Sequence, residues 1–442
     1  MDPADIINLS SFSSPQTGTR VARVARVETD TNTSTRAALR FALNLKDTAG
    51  EASSFEAYLD YIESSWPGRG SKQNFLRLFA DVVNHFSSRS VALNNANGSI
   101  SSIQRYIDEL VASPNHYYFP DTLPGSPSRA TSVKEIVLLV LGTWLLMQSY
   151  FVPMRRNQRC IVLACCLGHK RPYSEPEGLA LSLADLVAQS ELLPSAYEVT
   201  GSDEGGGSGP GPGACASDDD NLTTPFQLHS SMGLLESLSI SPRRLNAVRL
   251  SSLGRVEFVW TANISRHLLL SRHGERYSLE LFALPCALQS GADNLLVNMG
   301  ILSTELVDEI DASYATLFSP VKASRGHRLL AKALGLRYWC WCLDCASHRL
   351  QRQVLAPLKM PQDDRRGLAR HKTTTTYPFK LDARLGMLMQ RDASQWQWDR
   401  TEFTQLWPRI LALDAHLEQT KPWSFWVIFR DRRDTVQYWT FL

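Results

Sequence analysis

The stretch LLLSRHGER, residues 268–276, ends an apolar run in Arg272, His273 and Gly274. A neutral imidazole can attack phosphorus, and a guanidinium suits planar, bidentate contact with phosphate oxygens. The alternating RYSLELFALP that follows at once favours a second reading, a hairpin turn at His273-Gly274 in which glycine supplies a positive φ. A second cluster, YWCWCLDCASH, places Cys340, Cys342, Cys345 and His348 within nine positions. All are zinc-ligand types, but about 100° of rotation per helical residue sets Cys340 and Cys342 on different faces. No Cys-x-x-Cys pair elsewhere completes a tetrahedron, so core packing is expected there and no metal or other cofactor.

Taken alone, LLLSRHGER resembles the nucleophile motif of the histidine phosphatase superfamily. That resemblance implies a phosphoryl-accepting His273, an oxygen-clamping Arg272 and a second histidine near a glycine. The later histidines are His327, His348, His371 and His416. His327 follows Gly326 but precedes a helical run, and His416 lies inside one.

The elements around these residues follow from hydrophobic spacing. Phe55, Leu59 and Ile62 form one helical stripe, closed by Pro67-Gly68. Phe75, Leu78, Phe79, Val82 and Phe86 form a second stripe, and Ile103, Ile107 and Leu110 a third. Further on, GRVEFVW alternates as a strand, and Leu268 and Leu270 are set to face Tyr277, Leu279 and Leu281 across the hairpin. Leu306, Ile310 and Leu317 define another helix after a Ser/Thr cap. A last one starts at Pro408, in the first turn, where a missing N–H costs nothing. The expected class is α+β: a mainly helical N-terminal domain, then a small antiparallel sheet with helices. The boundaries are a mobile segment 1–35, a helical domain 36–196, a linker 197–222 and an α+β domain 223–442. The linker holds GSDEGGGSGPGPG, seven glycines and two prolines in 13 residues, too little apolar surface to offset backbone entropy.

The chain has 442 residues, a net charge of +2 and eight unevenly spaced cysteines. So small a charge gives no field for nucleic acid, and crowded cysteines make a poor disulfide framework. The N-terminus lacks the basic and apolar regions of a secretory signal. An intracellular protein is expected, with peripheral or integral membrane attachment as options. Ile136 to Met154 carry no formal charge over 19 residues, close to the length of a bilayer-spanning helix. The other reading of that stretch is a buried central helix of the N-terminal domain.

The chain closes on KPWSFWVIFRDRRDTVQYWTFL. Trp423, Trp426, Trp439 and Phe441 flank the basic Arg430, Arg432 and Arg433. Aromatic residues prefer the headgroup level and arginines favour an anionic surface, so these seven are the candidate membrane contact. The same aromatics would also pack onto the second domain's core. FVWTANISRHLLLSRHGERYSLELFALPCAL and FTQLWPRILALDAHLEQTKPWSFWVIFRDRRDTVQYWTFL, with a looser echo at LLVLGTWLLMQSYF, resemble a group of uncharacterised filamentous-fungal proteins. The resemblance implies one or two apolar membrane helices beyond the WTF stretch, from which a chain ending at Leu442 departs by truncation or loss of an anchor. It implies no catalytic residue. The expectation is a non-enzymatic protein that associates with a protein partner or an anionic membrane surface. The alternatives are a phosphohydrolase using Arg272, His273 and Gly274, and an integral membrane protein anchored by 136–154.

Overall fold

The apolar stripes fold as helices where their spacing places them. The computed structural model describes residues 35–45, 55–93, 102–113, 116–119, 127–148, 151–154, 158–161, 180–190, 192–194, 239–273, 276–288, 294–318, 343–359, 379–391 and 397–420. Helix α1 spans 35–42, followed by α2 (Glu56–Ser64), α3 (Lys72–Leu93), α4 (Ile103–Ala112) and α5 (Pro127–Trp144). The predicted stripes of α2, α3 and α4 are all buried. Helix α4 starts where the Ser102 hydroxyl accepts the Arg105 N–H at 3.3 Å, satisfying a donor that the first turn leaves without a helical partner.

The uncharged stretch 136–154 does not run as one helix. Helix α5 ends at Trp144, Leu146 turns with φ +57°, and Phe151–Met154 (β1) pairs antiparallel with Gln158–Ile161 (β2). The Leu146 N–H bonds Thr143 O at 3.2 Å and the Met147 N–H bonds Gly142 O at 2.8 Å, which closes the helix. Residues 136 to 141, with Trp144, are buried against neighbouring helices. Among the described residues no helix is long and apolar enough to cross a membrane.

Helix α6 (Leu183–Ser190) completes the described N-terminal part. After it come β3 (Ser239–Ile240), α7 (Ala247–Ser252), β4 (Val256–Thr261), β5 (Leu269–His273) and β6 (Arg276–Phe282). Leu270 pairs with Leu279, as the alternation predicts, and Arg272 is the residue that pairs with Tyr277. The sheet order is β4-β6-β5, however, and β4 runs parallel to β6, so this sheet is mixed, not purely antiparallel. The short 3-10 turn Ile264–Arg266 carries the chain far enough for β6 to return between β4 and β5.

Helices α8 (Leu295–Asn298), α9 (Thr304–Phe318), α10 (Leu343–Val354), α11 (Ala356–Lys359) and α12 (Arg384–Leu388) follow, and Phe318 of α9 and Val354 of α10 meet Phe258 and Trp260 of β4. Strand β7 (Trp398–Asp399) pairs with β3, and α13 (Trp407–Gln419) closes the described chain. The fold is α+β with a helical N-terminal part. Residues of that part and of the later sheet and helices share one apolar cluster. Direct contacts join the two: the Ile264 N–H donates to Leu146 O at 3.0 Å, and the Tyr61 ring meets Phe379 edge-on at 5.7 Å. Residues 197–222, the predicted linker, lie outside the described residues.

Candidate functional site

Arg272 and His273 sit at the end of β5, and His273 pairs with Arg276 across the hairpin. Only residues 274 and 275 separate those paired positions, the spacing of a two-residue loop. Gly274 and the His273 side chain lie outside the described residues. Strand continues at once on the far side, so no helix N-terminus follows the motif to receive a phosphate. The Arg272 guanidinium lies 6.0 Å from the centre of the Tyr277 ring, its cross-strand neighbour. His416 packs on the other end of that contact, 4.3 Å from Tyr277.

The two described histidines near this sheet are occupied in the framework. His416 is buried, with Nε2 3.0 Å from Gly254 O, and burial lowers its affinity for a proton. His267 is fully buried, accepts the Phe282 N–H at Nδ1 over 3.2 Å, and faces the Ser313 hydroxyl with Nε2 at 2.7 Å. The accepting Nδ1 fixes the proton on Nε2. Burial first, and the Arg409 charge second, depress its pKa to about 3.

Of the cysteine cluster, Cys345 is buried on α10 and His348 is half-buried one turn later. Cys340 and Cys342 lie outside the described residues. Among the described residues no group of three or more His, Cys, Asp or Glu side chains is placed to hold a metal ion. The candidate membrane-contact residues Trp423, Trp426, Arg430, Arg432, Arg433, Trp439 and Phe441 also lie outside the described residues.

Sequence spacing did not disclose the buried polar framework, because each partner is remote in the chain. Glu309 on α9 accepts the Gln405 N–H at 2.9 Å and the Leu406 N–H at 2.7 Å, capping α13 from another helix. Asp382 accepts the Cys286 N–H at 2.5 Å and the Arg384 N–H at 2.8 Å. Burial raises the carboxyl pKa of both against these bonds. Arg409 donates to His267 O and, at 2.7 Å, to Ser265 O. Each of these groups serves the backbone of another element.

Among the described residues a different surface stands open. Helix α1 buries Leu39, Ala42 and Leu43 and turns Ala37, Ala38 and Phe41 outward, with Phe41 85% exposed. Positions 37, 38 and 41 share one helical face. The helix is held by Arg36, which bonds Glu63 and lies 2.9 Å from Glu56 and 3.2 Å from Asp60, and by Arg40, 2.5 Å from Glu56. One signal in the sequence pointed to this: Phe41 falls off the stripe that Leu39, Ala42 and Leu43 define. Comparison with family models, with curated proteins and with solved structures finds no match to this chain.

Proposed function

We propose that this protein works by association with a partner, not by turning over a substrate, and that the outward face of α1 belongs to the contact. The observation that carries this reading is Phe41. A phenylalanine 85% exposed on a helix clamped by ion pairs is an aromatic anchor presented at little ordering cost. The alanines beside it leave room for a partner's side chains. The framework around the sheet supports the same reading, since Glu309, Asp382, His267 and His416 are each engaged by a backbone group.

The test is paired affinity capture with wild type and Phe41→Asp, with melting temperature as the folding control. The expected result is unchanged melting and loss of at least one stoichiometric partner. An identical set of captured proteins would refute the reading. So would phosphomonoester hydrolysis by wild type that His273→Ala abolishes, because it would restore catalysis at the hairpin.

A further inference from the structure

Residues 379–391 form a strap across the two parts of the fold. Its first ring, Phe379, rests on Tyr61 of α2, and its last turn is tied to α10 by Gln351, whose Nε2 donates to Met389 O at 3.1 Å. Between these points the Asp382 N–H bonds Ala283 O at 3.2 Å, beside β6. The strap meets α9 through Arg384 and Asp311. Arg384 Nη2 lies 3.7 Å from Asp311 Oδ2, too far for a hydrogen bond. The other oxygen, Oδ1, is buried and has no hydrogen-bond partner among the described residues, and the side chain is only 14% exposed. A carboxylate so placed has lost water and regained little.

The charges facing Asp311 divide by sign. Arg384 and Arg391 on the strap attract it, while Asp308 on its own helix and Asp382 on the strap repel it. Tyr314, one turn later, gives its hydroxyl to Phe282 O. Glu309 points elsewhere, toward Thr404, Gln405 and Leu406.

We propose that Asp311 is a proton-controlled latch: the neutral acid lets the strap 379–391 seat on α9, and ionisation loosens it. Burial is the main cause, and it pushes the carboxyl from 3.8 up to about 6 against the pull of Arg384 and Arg391. A lifted strap returns Asp311 to water and to its ordinary value, so closing takes up a proton between those limits. The closed state gains as pH falls through about 6, fully so below 3.8, and the gain is gone above that window. Met387, 69% exposed, and the exposed Lys380 and Arg391 ride on the strap, so its opening changes the surface on display.

Hydrogen exchange of the full chain at pH 5 and pH 7.5, corrected for intrinsic rates, tests the latch. Amides of Arg384, Met389 and Gln390 should lose about tenfold in protection at the higher pH relative to those of α4, as a shift of two pKa units requires. Asp311→Asn should remove the dependence. Arg384→Gln should increase opening at pH 7.5 with little effect at pH 5. Equal protection of wild type at both pH values would overturn the proposal, as would a tenfold dependence surviving in Asp311→Asn. If Asp311→Asn fails to fold, an Arg384→Gln effect of equal size at both pH values would overturn it instead.

Discussion

Arg36 on α1 bonds Glu63 on α2, and Lys72 at the start of α3 takes the second oxygen of the same carboxylate at 2.5 Å. Three helices therefore meet at one side chain that is 11% exposed. This junction ties α1 to α2 and α3, with Leu39 facing inward and Phe41 outward. Burial alone would raise the Glu63 pKa, but the bonds from Arg36 and Lys72 together outweigh it and hold the carboxyl below its usual 4.5. A depressed acid stabilises the fold above its unfolded value, and that contribution is lost as pH falls below about 4.5. Glu63→Gln should lower stability at pH 7 by about 1 kcal/mol, discounted because Arg36 and Lys72 remain partly in water. Denaturant unfolding at pH 7 and pH 3.5 checks this: the difference between the two proteins should shrink at the lower pH.

Gly254 permits the close approach of α7 and α13. A Cβ there would lie 2.8 Å from Leu250 O and 3.3 Å from both His416 Nε2 and Leu417 Cδ2. The first neighbour is backbone and cannot swing away. Gly254→Ala should cost about 1–3 kcal/mol by overpacking, and should disturb the His416 contact with Gly254 O. Thermal melts measure the cost. A nitrogen-15 spectrum of the histidines reports the second effect as a changed His416 ring signal.

His267 makes the fold sensitive to acid. Its folded pKa is about 3 against 6.5 in the unfolded chain, so the unfolded state binds the extra proton between those values. Stability from this group is full above 6.5 and falls as pH drops toward 3, by about 1.4 kcal/mol per pH unit within the window. Asp311 acts in the opposite direction over part of the range, so the informative quantity is a difference. His267→Asn should flatten the stability-against-pH curve by about one proton between pH 4 and pH 6, as unfolding at a series of pH values would record.

Much of the secondary structure was legible because its cause is local. The spacing of Phe75, Leu78, Phe79, Val82 and Phe86 makes a helix whichever neighbour it packs on, and their burial follows. The register that sets Leu270 against Leu279 follows from a two-residue turn and period-two alternation. The place of β6 between β4 and β5 was not legible, since strand order depends on contacts distant in sequence. The end of α5 was missed for a related reason. Leu146 has no intrinsic preference for a positive φ, and it is held there by closing bonds and by Ile264, more than 100 residues away. At the candidate surface the sequence offered only a misfit, Phe41 off its helix's stripe. It drew attention instead to Arg272 and His273, whose pattern arises equally well from a strand end and a hairpin.

Contact at Phe41 is tested by a photoreactive phenylalanine analogue placed at position 41 in the full chain. Irradiation should be done in an extract from the native source, with the same analogue at the exposed Lys380 as the control. The expected result is a discrete protein adduct at 41 that the control position does not give and that an excess of unlabelled wild type suppresses. Adducts at 41 that match the control in identity and yield, or that consist of lipid alone, would contradict it.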